Sequence, residues 1–161
     1  MPDHYLVIPN ENAGDRLAGA MGAFAAVYDG YLFTLMKRRV GEQYQHGLWE
    51  LRQYHNGALA LVLPSQDMVT VEGCNEQMSL EAVSLFLNIK LLSRLCEVAF
   101  SKGDEVANER FHDLAHALRD AVSGLMNFIL HDQGISEPGE EHLALPMRRH
   151  PESQLIYQLL D

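Results

Sequence analysis

The chain has 161 residues, 47% of them hydrophobic, and a formal charge of -10 at pH 7 from 22 acidic and 12 basic residues. That length suits one domain able to bury a sizeable core, so 1–161 is read as a single unit. The acidic balance weighs against a bare phosphate-binding role, because nucleic-acid binders display a basic stripe, and no direct nucleic-acid contact is expected.

In chain order, Tyr5 to Pro9 is a short extended lead-in, followed by a polar turn from Asn10 to Gly14. A helical stretch begins near Asp15, and Gly19, Gly22 and Gly30 break it into a short helix and a longer one, roughly Ala25 to Val40. The longer helix ends in Lys37-Arg38-Arg39 before Gly41, as a helix C-terminus prefers. Tyr44 to Pro64 then reads as a hairpin. From Leu48 the alternation puts Trp49 and Leu51 on one face and Glu50 and Arg52 on the other, and Asn56-Gly57 supplies residues that tolerate positive φ in a tight turn. Met68 to Glu72 follows as a third strand after the turn Ser65-Gln66-Asp67. The expected class is therefore α+β, a three-stranded antiparallel meander from Gly47 to Glu72 packed against helices.

Ser79 reads as the N-cap of a core helix from Leu80 to Phe100, apolar around most of its circumference, with Leu85, Ile89, Leu92 and Cys96 at helical spacing. Asn88, Lys90 and Arg94 interrupt this run, which excludes a membrane span. Gly103 ends it. Asp104 opens an amphipathic segment with Phe111, Leu114, Leu118, Val122, Leu125 and Ile129 on one stripe. Gly134, Pro138, Gly139 and Pro146 mark an acidic loop containing Glu137, Glu140 and Glu141. Pro151 at a first helical turn opens a last short helix that docks through Leu155, Ile156 and Leu159. Only Cys74 and Cys96 are present, and the N-terminus lacks a signal-peptide layout, so a cytoplasmic chain with free thiols is expected.

The sharpest chemical candidate is His112-Asp113-Leu114-Ala115-His116, since histidines four apart on a helix face one way and could share a metal. Asp113 stands where a metalloprotease helix needs a longer glutamate, and His131, His142 and His150 are distant as third ligands. Nucleophile elbows, glycine-rich phosphate loops and paired-carboxylate motifs are not found. No catalytic residue, cofactor or bound metal is expected, and the chain is read as not an enzyme. Trp49 is either an anchor of the sheet or part of a contact surface. The acidic loop is either a solvated connection or a negative surface for a basic partner.

The ordered motifs resemble the KlcA/ArdB antirestriction family. Val7-Ile8-Pro9 with Arg16 and Leu17 is similar to its opening pattern, and Met21-Gly22 falls near its phenylalanine-glycine. Tyr44, Gly47, Trp49, Asn56, Gly57 and Pro64 resemble its central signature. Gly73 and Asn75 precede the core helix as in the family, and His116, Leu118, Arg119 and Asp120 resemble a downstream run. His150-Pro151-Glu152 and Asp161 resemble the closing helix and terminal aspartate. His46 and Leu51 depart from a glycine and a phenylalanine, and the stretch between Asp120 and His150 looks inserted.

The resemblance implies a small cytoplasmic protein of a plasmid, phage or other mobile element that relieves type I restriction of incoming DNA. It would act through a protein partner, the type I restriction-modification complex being the candidate. Dense DNA mimicry fits poorly with 12 basic residues among 22 acidic ones. Carboxylates at Asp161, Glu137, Glu140 and Glu141, together with Trp49, are the candidate partner contacts. The alternatives are a metal-dependent hydrolase built on His112 and His116 and a generic protein-binding module of a mobile element.

Overall fold

A long apolar helix organises the molecule, partly through what its few polar side chains do. The computed structural model of the chain describes residues 5–45, 47–130 and 148–160. In order these form β1 (Tyr5–Ile8), α1 (Asn10–Met21), α2 (Ala25–Val40), β2 (Glu50–Tyr54), β3 (Leu59–Val62), β4 (Met68–Val69), β5 (Met78–Ser79), α3 (Leu80–Ser101), α4 (Glu105–Ser123) and α5 (Ser153–Leu160). The class is α+β: a three-stranded antiparallel sheet ordered β1-β2-β3 and a two-stranded β4-β5 ribbon pack among the helices.

The third strand of the sheet is the lead-in rather than Met68 to Glu72. Tyr5 pairs with Tyr54 and Ile8 with Leu51, whereas Met68 and Val69 pair with Ser79 and Met78. The reason lies at the start of α3, whose first N–H groups have no partner inside the helix. Leu80 N donates to Asp67 O at 3.0 Å and Glu81 N to Ser65 O at 3.0 Å. Those bonds draw residues 65–67 away from the sheet.

The edge of β3 is instead covered by α3 itself. Asn88 Nδ2 donates to Leu61 O at 2.7 Å, and Asn88 Oδ1 accepts from Leu61 N at 3.1 Å and from the Tyr28 hydroxyl at 2.8 Å. One turn earlier, Ser84 Oγ accepts from Leu63 N at 3.1 Å. Two helical side chains thus do for the outer row of β3 what a fourth strand would do, which hides the unpaired edge. Around them α3 buries Leu85, Phe86, Ile89 and Leu92 almost completely; each such side chain contributes roughly 1.5–3 kcal/mol on leaving water.

The helix boundaries follow local chemistry. Ser79 Oγ accepts from Ala82 N at 3.1 Å, so the expected cap is made, and Asp104, expected to open the next helix, caps it through Oδ1, which accepts from Ala107 N at 3.0 Å. Helix α1 starts at Asn10, not near Asp15. Pro9 with φ of -56° occupies the cap position, and the polar residues form the exposed first turn of the helix. The stripe on α4 stops at Val122, because Gly124 takes φ of +75° and closes the helix. Leu125, 47% exposed, and Ile129 lie beyond it. Ile156 of α5 is fully buried in the core, with Leu155 and Leu159 half-buried beside it. No described helix is long and apolar enough to cross a membrane.

Candidate functional site

Polar side chains converge most densely at the N-terminus of α3. Arg52, 2% exposed on β2, bonds Glu50 at 2.9 Å and Glu81 at 3.1 Å and lies over the Tyr5 ring at 4.1 Å. Alternation puts Arg52 with Glu50 on the face opposite Leu51, and there Tyr5 of β1 and Glu81 in the first turn of α3 cover it. Glu81 also meets His150 Nε2 at 2.7 Å, and Glu152 N donates to His150 Nδ1 at 3.0 Å. A backbone N–H on Nδ1 fixes the tautomer, so Nε2 carries the proton and donates to Glu81. Glu152 in turn accepts from Ser79 N at 2.7 Å and Ser79 Oγ at 2.5 Å. The His150 hydrogen bond foremost, with burial opposing and Arg52 adding, lowers the Glu81 carboxyl from 4.5 to about 2.

Serine, histidine and two carboxylates within bonding reach invite a hydrolase comparison. The geometry answers it. Both imidazole nitrogens are engaged by partners other than Ser79, and the Ser79 hydroxyl is only 1% exposed and donates to Glu152. A serine nucleophile of the imidazole-activated kind needs a histidine in contact and a path for substrate; the Ser79 hydroxyl donates to the Glu152 carboxylate instead and is covered. The cluster ties α5 to the start of α3 and to β2.

The Asn56-Gly57 turn is likewise an anchor. Tyr54 N donates to Ala58 O at 2.8 Å and Gly57 N to Tyr54 O at 2.9 Å, so three residues link the strands and only Gly57, at φ +90°, is left-handed. Asn56 Nδ2 reaches Ala117 O at 2.7 Å and Phe128 O at 3.0 Å, while Leu130 N donates to Asn56 O at 2.7 Å. A Cβ on Gly57 would meet Leu130 O at 2.6 Å. The turn therefore locks the hairpin onto α4 and the segment after it.

His112 and His116 do share a face, with ring centroids 4.2 Å apart, and His116 stacks on Phe128 at 5.6 Å. Burial, then His112 and Arg119, lower the His116 pKa. His150 is held by Glu81, away from the pair, and among the described residues no three His, Cys, Asp or Glu side chains gather as a metal site would require.

Trp49 lies just before β2 and is half-buried. Its Nε1 donates to the Tyr44 hydroxyl at 3.1 Å, and its ring meets Phe33 of α2 at 5.2 Å. The neighbouring Leu48 is 91% exposed, so this corner combines a fixed indole with an open apolar side chain. Glu137, Glu140, Glu141 and Asp161 lie outside the described residues. Sequence reasoning passed over a groove of about 600 Å³ between α2 and α3, lined by Tyr31, Leu35, Arg38, Lys90, Leu95 and Lys102 among others. Its residues are spread over two helices, and no short motif gathers them.

No family model and no curated protein matches the chain. Among solved structures, one described as the structure of the KlcA and ArdB proteins superposes with a TM-score of 0.67 at 18% identity, over 100% of this chain and 98% of that one. The chain has the KlcA/ArdB fold. Those proteins are described as showing a novel fold and antirestriction activity against type I DNA restriction systems in vivo but not in vitro. The sequence resemblance and the KlcA/ArdB fold agree, and the structure gives several of the residues behind that resemblance a structural role. Asn56-Gly57 pins the hairpin, Asp120 Oδ2 accepts from Phe128 N at 2.6 Å, and His150 with Glu152 fastens the last helix. These motif residues hold the fold together.

Proposed function

We propose that this protein relieves type I restriction of incoming DNA inside the cell through protein contacts and without chemistry of its own. The observation that carries the reading is the end-to-end likeness to the KlcA/ArdB structure, with the motif residues at its structural joints. An effect described for those proteins in vivo but not in vitro supports an action that needs a cellular partner or context. The contacts assigned to that partner are Asp161, the Glu137, Glu140 and Glu141 carboxylates, and the Trp49 corner. Complementary charge steers encounter and fixes orientation, and that is the role proposed for these carboxylates. The proposal places the protein in the cytoplasm, as a product of a mobile element.

Expression in a host with an active type I system should raise the plating efficiency of unmodified phage while leaving modification intact. Unchanged restriction across several type I subclasses, with the protein soluble and abundant, rejects the reading. Within an active protein, Asp161→Asn should weaken the effect at matched expression without moving the melting temperature, and neutralising the three loop glutamates should weaken it less.

A further inference from the structure

The acidic chain carries one face of opposite sign. In the groove between α2 and α3, Arg38, Lys90, Arg94 and Lys102 line the space and no acidic residue does, in a molecule of formal charge -10. The apolar lining includes Leu91 and Leu95, 6% and 5% exposed, with half-buried Leu35, Val98 and Phe24, the last packed edge-on against Phe111; Tyr31 stands 50% exposed beside them. From Lys90 to Lys102 the groove follows α3 for about 18 Å, or about three helical turns. Arg94 pairs with Glu97 at 3.0 Å at the surface. Among the described residues no carboxylate lies within ion-pair distance of Arg38 or Lys102, and Lys90 sits against the Phe86 ring at 5.6 Å.

We propose that this groove docks an amphipathic helix of a partner protein, about three turns long, whose apolar stripe lies on Leu35, Leu95 and Val98 and whose flanking carboxylates meet Arg38, Lys90 and Lys102. Charge complementarity favours an acidic occupant, and the aliphatic floor requires an apolar one. Nucleic acid satisfies the first condition only. Its bases ask for stacked aromatics where this groove offers one exposed ring, and the overall charge repels a long polyanion. The proposal is independent of the restriction reading, since it concerns what the groove binds and not what binding achieves.

The test is fluorescence anisotropy with a labelled peptide of about 14 residues, leucines recurring at helical spacing and glutamates on both flanks. Its controls are the same peptide with lysine for glutamate, a shuffled peptide and a single-stranded oligonucleotide. The glutamate peptide should bind, and affinity should fall at least tenfold in the double variant Arg38→Glu with Lys102→Glu. Both positions are exposed, so the fold should persist with a melt only slightly below wild type. Should that variant fail to fold, Tyr31→Glu provides an independent change at an exposed site, with the same loss expected. No binding by the glutamate peptide, equal binding by the lysine or shuffled peptide, tighter binding by the oligonucleotide, or wild-type affinity in folded variants overturns the proposal.

Discussion

Two polar regions at different places along α3 are built in opposite ways. At its N-terminus, Arg52, Glu81, His150, Ser79 and Glu152 bond one another and are largely buried. In the α2/α3 groove, Arg38, Lys90 and Lys102 stand exposed with no carboxylate between them. The contrast separates charges that define the fold from charges available for recognition. A buried ion pair broken on one side leaves an uncompensated charge, whereas an exposed cation is already solvated.

The comparison breaks most readily at Arg52. Arg52→Ala should lose about 3–5 kcal/mol in chemical denaturation, because Glu50 and Glu81 would lose their shared cation in a covered site. A loss under about 1 kcal/mol would place that cluster with ordinary surface pairs. A smaller and more specific effect is expected at Asn88, where Asn88→Ala leaves the Leu61 N–H and C=O and the Tyr28 hydroxyl without their partner. Each such group costs about 1–3 kcal/mol when fully buried; Leu61 is half-buried and water can reach its groups, so the sum should fall at the low end, about 3 kcal/mol.

Acid sharpens the same contrast. The folded Glu81 carboxyl sits at about 2 against an ordinary 4.5. Its contribution is therefore whole above pH 4.5 and is lost as pH falls toward about 2. Urea midpoints of wild type should decline across that window, and Glu81→Gln should start lower and decline less. Identical slopes would remove Glu81 from the account. The smallest effect belongs to the groove: Arg38→Glu with Lys102→Glu reverses two exposed cations at the C-terminal ends of α2 and α3 and should cost about 1 kcal/mol, and a loss above about 2 kcal/mol would show those cations to be structural after all.

Local signals in the sequence were enough for the cap at Ser79, the start of α4 at Asp104, the bounds of α2 and α3, and the docking face of α5. Each depends on residues within a turn or two. Non-local pairing was not legible. Tyr5–Ile8 is four residues long, and its place beside β2 follows from the chain's return through α1 and α2. Met68–Val69 alternates well enough for a sheet strand, but N–H groups at the start of α3 decide its fate. Asn88 reads in sequence as a flaw in an apolar helix, and only the β3 edge beside it gives that polarity a use. At the site level, Trp49 stands out in the sequence as the lone tryptophan of the hairpin, while the groove cations, scattered among ordinary helix-surface positions, leave no motif.

The same Asn88 and Ser84 bonds couple motions that are separate in most α+β proteins. The amide protons of Leu61 and Leu63 are held by helical side chains, so neither can reach solvent by the fraying of a neighbouring strand. Their exchange should wait until α3 lifts away, at a rate close to that of the amides in the middle of the helix. The β3 edge and the helix would then open as one unit, and an added strand from a second copy would find a template at β3 only during that rare event.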